Sequence, residues 1–263
     1  MKSPIKWMGG KSKSVKRILS IMPEHKTYVE PFFGGGWIFF AKEKSKVEVI
    51  NDINGQLVNF YEVLRTQEKE FIRRMDLVVK SRELFLKYRA TLNDMKLSPL
   101  ERAFRFYYVN QNAFGGLIRY NKKDECNSPF AGSPDREAQS SFWDINKIKN
   151  SHKRLKETII ENDTYINIIK RYDKPYTLFF LDPPYECKSG KYNGETLFNY
   201  DELLEQCRNM NGKFILTLNS ELENKFNEFY IIPNDVHYSI GCTSESSKEY
   251  KEIIVTNYDI NNK

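Results

Sequence analysis

Short apolar runs that end in an acid or a glycine turn alternate along this chain with longer stretches whose apolar residues recur every three or four positions. Tyr28-Val29-Glu30 runs into Pro31-Phe32-Phe33-Gly34-Gly35-Gly36, the pattern of a short strand and a glycine turn, and Trp37-Ile38-Phe39-Phe40-Ala41 is long enough to open a helix. Val47-Glu48-Val49-Ile50-Asn51-Asp52 predicts a second strand ending in an acid. Before them, Val15, Ile18, Leu19 and Met22 at helical spacing, followed by Pro23, predict a helix over residues 11–21. Beyond the second strand the pattern turns helical as far as residue 157. There Ser98-Pro99-Leu100-Glu101 reads as a capping box with proline at the first helical position. Leu100, Ala103, Phe104, Tyr107 and Tyr108 mark one face of that helix.

A stretch rich in Gly, Asn, Pro and Ser over residues 110–141 predicts a long loop, a functional segment or a partly disordered one. Ile145, Ile148 and Leu155 predict a further helix, and strands resume at Thr158-Ile159-Ile160, Leu178-Phe179-Phe180-Leu181, residues 213–218 and residues 252–255. Strands and helices thus alternate on both sides of a helical insertion. The expected class is α/β, a doubly wound, mainly parallel Rossmann-like sheet. Residues 1–57 and 156–263 would form it, with a mostly helical domain inserted at 58–155. No internal repeat is present.

Two loops carry the candidate chemistry. Asp182-Pro183-Pro184-Tyr185 follows the buried apolar run, and each proline fixes its own φ and lacks an N–H. Pro184 also keeps Pro183 out of the helical region, so the carbonyls of Asp182 and Pro183 can point at a ligand. One carboxylate, two carbonyls and a phenol ring suit a planar base with an amino group. The second loop is the glycine turn, where a ligand can approach the backbone closely. Asp52, at the end of the second strand, is placed to accept hydrogen bonds from ribose hydroxyls. The glycines lack the G-x-G-x-x-G spacing of dinucleotide sites, so a nucleoside without phosphates fits better, with Glu30 facing a cationic group.

Charge narrows the partner. The net charge is +6, and residues 1–26 hold seven Lys/Arg against one acid, residues 65–110 eleven against six, and residues 220–263 four against eight. A positive face built from the first two segments would meet phosphate. Cys126, Cys187, Cys207 and Cys242 form no C-x-x-C pair and the three histidines do not cluster, so neither a metal site nor a disulfide framework is indicated. No apolar stretch reaches membrane-spanning length and no leader opens the chain, which makes a cytoplasmic setting the default expectation.

Five motifs occur in order: Pro4-Ile5-Lys6-Trp7-Met8-Gly9-Gly10-Lys11, Glu30-Pro31-Phe32-Phe33-Gly34-Gly35-Gly36, Asn51-Asp52-Ile53-Asn54, Asn112-Ala113-Phe114-Gly115-Gly116-Leu117-Ile118-Arg119-Tyr120-Asn121 and Asp182-Pro183-Pro184-Tyr185. In this order they resemble the DNA adenine methyltransferase family, over nearly the whole chain. The resemblance implies methyl transfer from S-adenosylmethionine to the exocyclic N6 of an adenine flipped out of double-stranded DNA. It implies a cofactor pocket lined by Trp7, Lys11, Glu30, Phe32, Gly34, Gly36, Asp52, Asp163 and Asp182, and a catalytic loop of Asp182, Pro183, Pro184 and Tyr185. Positions matching Lys6, Phe114, Leu117, Arg119, Asn121 and Pro129 would approach the DNA, with residues 58–155 as the recognition domain. In relatives that methylate GATC such positions read the target, so a G-A-T-containing site is expected. The chain departs from them at Phe114-Gly115 and at Cys126-Asn127-Ser128-Pro129-Phe130. A companion restriction nuclease is a candidate partner.

Rival readings lack their signatures. A cytosine-ring methyltransferase needs a cysteine after proline, whereas Cys187 follows Glu186. Cytosine amino-methylation usually carries serine at the position of Asp182, and RNA or protein-glutamine methylation usually shows N-P-P-Y. An inactive DNA-binding module would have no use for the intact D-P-P-Y loop.

Overall fold

The structure is a computed structural model that describes residues 1–7, 9–121, 125–132, 144–184, 198–237 and 249–262. Its elements are α1 (Val15–Ile21), β1 (Thr27–Glu30), α2 (Trp37–Ala41), β2 (Val47–Asn51), α3 (Gly55–Thr66), α4 (Glu68–Asp76), α5 (Arg82–Ala90), α6 (Pro99–Asn112) and α7 (Ile145–Leu155). Then follow β3 (Ile159–Glu161), α8 (Tyr165–Tyr172), β4 (Thr177–Leu181), α9 (Tyr200–Arg208), β5 (Lys213–Asn219), β6 (Tyr230–His237) and β7 (Glu249–Thr256).

These strands form one sheet in the order β3-β2-β1-β4-β5-β7-β6. The pairings from β3 to β5 are parallel, and β7 runs antiparallel to both β5 and β6. The architecture is therefore the expected mainly parallel α/β sheet, closed at one edge by an antiparallel pair. The chain moves outward from β1 to β3 and then returns to place β4 beside β1. At such a reversal the loops after two neighbouring strands diverge and leave a crevice at their carboxyl ends. Glu30 closes β1 and Asp182 follows β4, so both acids stand at that crevice.

The sheet is covered on both faces, and β4 shows it in its own sequence. Leu178 and Phe180 join one apolar cluster, Phe179 and Leu181 the other. That two-residue alternation between two cores is why the strand reads as an unbroken apolar run. Helices α3, α6 and α7 lie on the first face, where Phe60 and Tyr107 stack with ring centres 5.7 Å apart. The inserted helices share this one continuous cluster with Phe39, Phe40 and Ile50 of the sheet layer. On the second face Ile168 of α8 and Leu203 of α9 pack against Val29, Val49 and Phe214.

Four details depart from the sequence pattern. Helix α1 begins at Val15 instead of residue 11, because residues 12–14 form a turn that carries Lys11 into the interior. Strand β6 went unpredicted because it contains Pro233, which is tolerated here on the edge of the sheet. The capping box is half made: Ser98 Oγ accepts the Glu101 N–H at 3.2 Å, but the Glu101 carboxylate turns to Arg74 and Arg105 instead of back to the cap. The region read as a loop after residue 110 contains paired backbone, with Ala113 opposite Phe130 and Tyr120 opposite Cys126.

Candidate active site

The D-P-P loop is held at both ends. Register pairs Leu181 with Leu216, which brings Thr217 alongside Asp182, and the Thr217 hydroxyl donates to Asp182 Oδ1 at 2.7 Å. Lys11 Nζ lies 2.8 Å from the same oxygen. At the far end Tyr200 OH donates to the Pro184 carbonyl at 2.8 Å. These bonds leave Asp182 Oδ2 and the Pro183 carbonyl without a donor among the described residues, two acceptors on adjacent residues of one loop. Tyr185 lies outside the described residues.

The first strand and its turn form the neighbouring wall. Gly34 and Gly36 take φ of 48° and 62°, the left-handed region that glycine adopts freely. A Cβ on Gly34 would stand 2.7 Å from the Trp7 indole and one on Gly36 2.4 Å from the Phe33 ring, so the turn has no room for side chains. Asp52 fixes this turn by accepting the Gly34 N–H on Oδ2 and the Asn54 N–H on Oδ1, both at 2.9 Å. A small recess beside Asp52 is walled by Phe33, Tyr61, Ile160 and Glu161. Burial raises the pKa of Asp52 above the usual carboxylate range, against the pull of those backbone bonds.

Glu30 is buried, accepting the Tyr28 hydroxyl and the Phe39 N–H on Oε1. Burial pushes its carboxyl up to about 8, and the nearby Asp182 charge adds to the rise. At neutral pH this acid is largely protonated until a positive charge arrives.

An aromatic group, a buried amide and a buried indole complete the site. Phe32 meets Tyr165 at 5.1 Å and Phe198 at 5.7 Å between ring centres, an aromatic group at the carboxyl edge of the sheet. Asn51 is buried and ties three loops together, donating to the carbonyls of Pro31 and Asp163 and accepting the Asp163 N–H. Trp37 Nε1 is a buried donor with no partner among the described residues, against the backbone of Gly10 and Gly35. Each of these depends on contacts between distant segments. Phe32 and Asn51 stand in the sequence motifs, whereas Trp37 reads only as the start of a helix.

Two further expected residues have charged partners within the protein. Lys11 pairs with Asp182 and, at 3.6 Å, with Glu252, so its ammonium is already neutralised inside the protein. The Asp163 carboxylate accepts the Thr164 N–H and the Asn167 amide, both at 2.8 Å, and pairs with Arg171 at 3.1 Å. Those bonds, the Asn167 one foremost, hold its pKa below the usual range.

S-Adenosylmethionine carries a cationic sulfur, an ammonium, a carboxylate, a ribose and a purine, and the donor set suits it. Glu30 is a buried acid with no basic side chain bonded to it among the described residues. Asp52 is a carboxylate at the glycine turn, Trp37 Nε1 is a buried donor without a partner among the described residues, and the Phe32 group offers ring faces.

The expected DNA-facing residues gather on the paired segment 113–130. Lys6, Phe114, Arg119 and Pro129 are exposed, Leu117 and Asn121 half-buried. Lys6 joins them because the Asn110 amide donates to the carbonyls of Lys6 and Gly116, at 2.7 and 2.8 Å. Gly115 and Gly116, at φ 68° and 70°, let the chain turn beneath the Lys6 side chain. Ser128 ties the segment together: its hydroxyl accepts the Arg119 N–H at 2.8 Å and its carbonyl accepts from Arg89 at 2.9 Å. Lys80 and Arg82 lie over the Phe130 ring, adding charge at its base. No helix among the described residues is long and apolar enough to cross a membrane.

Comparison with known proteins gives the family. The sequence profile of a family described as D12 class N6 adenine-specific DNA methyltransferase matches residues 7–252. A type II methyltransferase of Lactococcus lactis subsp. cremoris is 29% identical over 279 residues, covering 96% of this chain and 94% of its own. A DNA adenine methylase of Vibrio cholerae is 36% identical over 130 residues, 48% of this chain and 46% of its own. The DNA adenine methylase of Escherichia coli K12 is 26% identical over 206 residues, covering 77% and 71%.

Proposed function

We propose how this chain, which belongs to the D12 class N6 adenine-specific DNA methyltransferase family and whose methyl donor is therefore S-adenosylmethionine, carries out its reaction. The target adenine rotates out of the duplex, at a cost of a few kcal/mol, and stacks on Tyr185. Asp182 Oδ2 and the Pro183 carbonyl accept its two amino hydrogens. Those bonds draw the nitrogen lone pair out of the ring and aim it toward the cofactor pocket. When bound, S-adenosylmethionine supplies an electrophilic methyl group on a cationic sulfur. Glu30 meets the cofactor's positive charge, Asp52 its ribose, and Trp7, Phe32, Gly34 and Gly36 shape the pocket. The chain's contribution is orientation and preorganised acceptors, without a covalent intermediate.

One observation carries this reading. The two acceptors on the D-P-P loop that have no partner among the described residues stand at the reversal between β1 and β4, beside the turn that holds Asp52.

The segment 113–130, within the recognition part at residues 58–155, reads the sequence. Arg119 takes the O6 and N7 of a guanine, Leu117 touches a thymine methyl, and Phe114 enters the space left by the flipped base. Lys6, Asn121 and Pro129 follow the backbone beside them. The target contains G-A-T, with GATC as the specific candidate. Such a substrate places the enzyme in the cytoplasm, and a companion restriction nuclease is a candidate partner because one similar protein is named a type II methyltransferase.

The test is transfer of radiolabelled methyl to unmethylated genomic DNA, followed by nucleoside analysis and single-molecule mapping. N6-Methyladenine at a single G-A-T-containing motif is the expected result. Methylation at a motif without G-A-T would overturn the target assignment, and full activity in Asp182→Ala would overturn the mechanism.

A further inference from the structure

Asp182 is gripped on one oxygen only. Thr217 Oγ1 and Lys11 Nζ both converge on Oδ1, at 2.7 and 2.8 Å, and no described donor reaches Oδ2. Behind Lys11 lies a closed ring of polar contacts. Its ammonium also meets the Gly9 carbonyl at 3.1 Å and Glu252 Oε1 at 3.6 Å. Asn234 donates to Glu252 Oε2 at 3.3 Å and to Ser14 Oγ at 3.0 Å, and the Ser14 N–H returns to the Lys11 carbonyl at 3.0 Å. The ring draws on the N-terminal turn, β6 and β7, and Thr217 adds β5.

Burying such a group for stability alone is poor economy, because desolvating an ion pair roughly cancels its Coulomb gain and apolar residues of like volume do as well. The exposures point elsewhere. The Lys11 and Glu252 side chains are each 2% exposed and Asp182 is 19% exposed, so the network opens only where the catalytic carboxylate does. Oδ2 is the atom at that opening that no described donor engages.

We infer that Thr217 and the Lys11–Glu252 pair are positioning residues for Asp182, holding Oδ1 so that Oδ2 is the oxygen presented to the adenine amino group. This deepens the proposed mechanism and rests on its assignment of Asp182. With both donors on one oxygen, the carboxylate cannot rotate, and its second oxygen keeps a fixed distance from the Pro183 carbonyl. Acceptors fixed before the substrate arrives need no reorganisation during the reaction.

Thr217→Val keeps the shape of this buried side chain and removes only the hydroxyl. Its single-turnover methylation rate is expected to fall about tenfold, the scale of one hydrogen bond to a charged group. Its dissociation constants for S-adenosylmethionine and for DNA should stay within about twofold of wild type, while Thr217→Ser restores the rate to within about threefold. Glu252→Gln, which leaves Lys11 less firmly placed, should lower the same rate by about threefold and combine less than additively with Thr217→Val. A wild-type rate in Thr217→Val, or a loss matched by weaker cofactor binding, overturns the inference. If Thr217→Val does not fold, Glu252→Gln decides alone: a slowed rate with unchanged binding supports the inference and an unchanged rate overturns it. Asp182→Asn separates the two levels. Should it methylate normally, the mechanism itself falls; should it be inactive while Thr217→Val is unaffected, only the positioning role falls.

Discussion

Glu30 and Glu48 sit on the same face of neighbouring strands, both almost wholly buried, and their surroundings differ in one respect. Glu48 is ringed by positive charge: Lys42 Nζ at 2.5 Å, Arg154 Nη2 at 2.7 Å with Arg154 Nη1 on its other oxygen, and the Ser45 N–H at 3.1 Å. Burial alone would raise its pKa, but the Arg154 and Lys42 bonds outweigh that and hold it below the usual range. Glu30, near the catalytic crevice, receives a phenol and a backbone N–H and is pushed the other way, up to about 8. Arg154 also donates to the Phe39 carbonyl and lies 3.9 Å over the Phe39 ring, so the Glu48 cluster clamps α7 to the sheet layer. A buried acid with its counter-charges built in serves the fold. One left short of positive charge is suited to a cationic ligand.

The sharpest way to break this contrast is to remove each acid. Glu48→Ala strands Lys42 and Arg154 in the interior, and a loss of about 3–5 kcal/mol of unfolding free energy is expected in a denaturant titration. Glu30→Gln should leave stability unchanged or raise it, and weaken S-adenosylmethionine about tenfold or more by calorimetry, as fits one charge-assisted contact. Equal stability losses in the two variants would erase the distinction.

The pH dependences should be opposite in sign and smaller. Glu48, with a depressed folded pKa, contributes stability that is present above its unfolded pKa near about 4.3 and is lost as pH falls through the folded value. Glu30, with a raised one, makes the cofactor-free protein less stable as pH rises from about 4.3 toward about 8, a slope that Glu30→Gln should flatten. For the same reason cofactor affinity should rise with pH up to about 8, with a proton released on binding that calorimetry in buffers of different ionisation enthalpy would detect. No proton release near pH 7 would sink the assignment of Glu30 to a cation.

What the sequence discloses follows from the range of each interaction. The parallel strands, the glycine turn, Asp52 and the D-P-P loop are legible because strand periodicity and proline or glycine geometry act over a few neighbouring residues. The partners of these groups are not. Thr217, Glu252, Asn234 and Asn51 are ordinary polar residues within apolar strands, and only sheet order brings them to the site. Lys11 reads as a helix-start lysine until β4 is laid beside β1. Strand β6 was hidden by Pro233, and the 113–130 segment by its glycines and lack of alternation, since few of its residues are paired.

The sheet order also sets a timetable for synthesis. Strand β7 lies between β5 and β6, yet it is later in the chain than either. On the ribosome, β6 emerges with no described strand to pair with, and Lys11 waits beside Asp182 without its second carboxylate. Both are supplied by one event, the insertion of β7 into the open edge. A nascent chain can bury the helices and the parallel strands early, but the ring of contacts around Lys11 and Asp182 is finished only when that strand arrives.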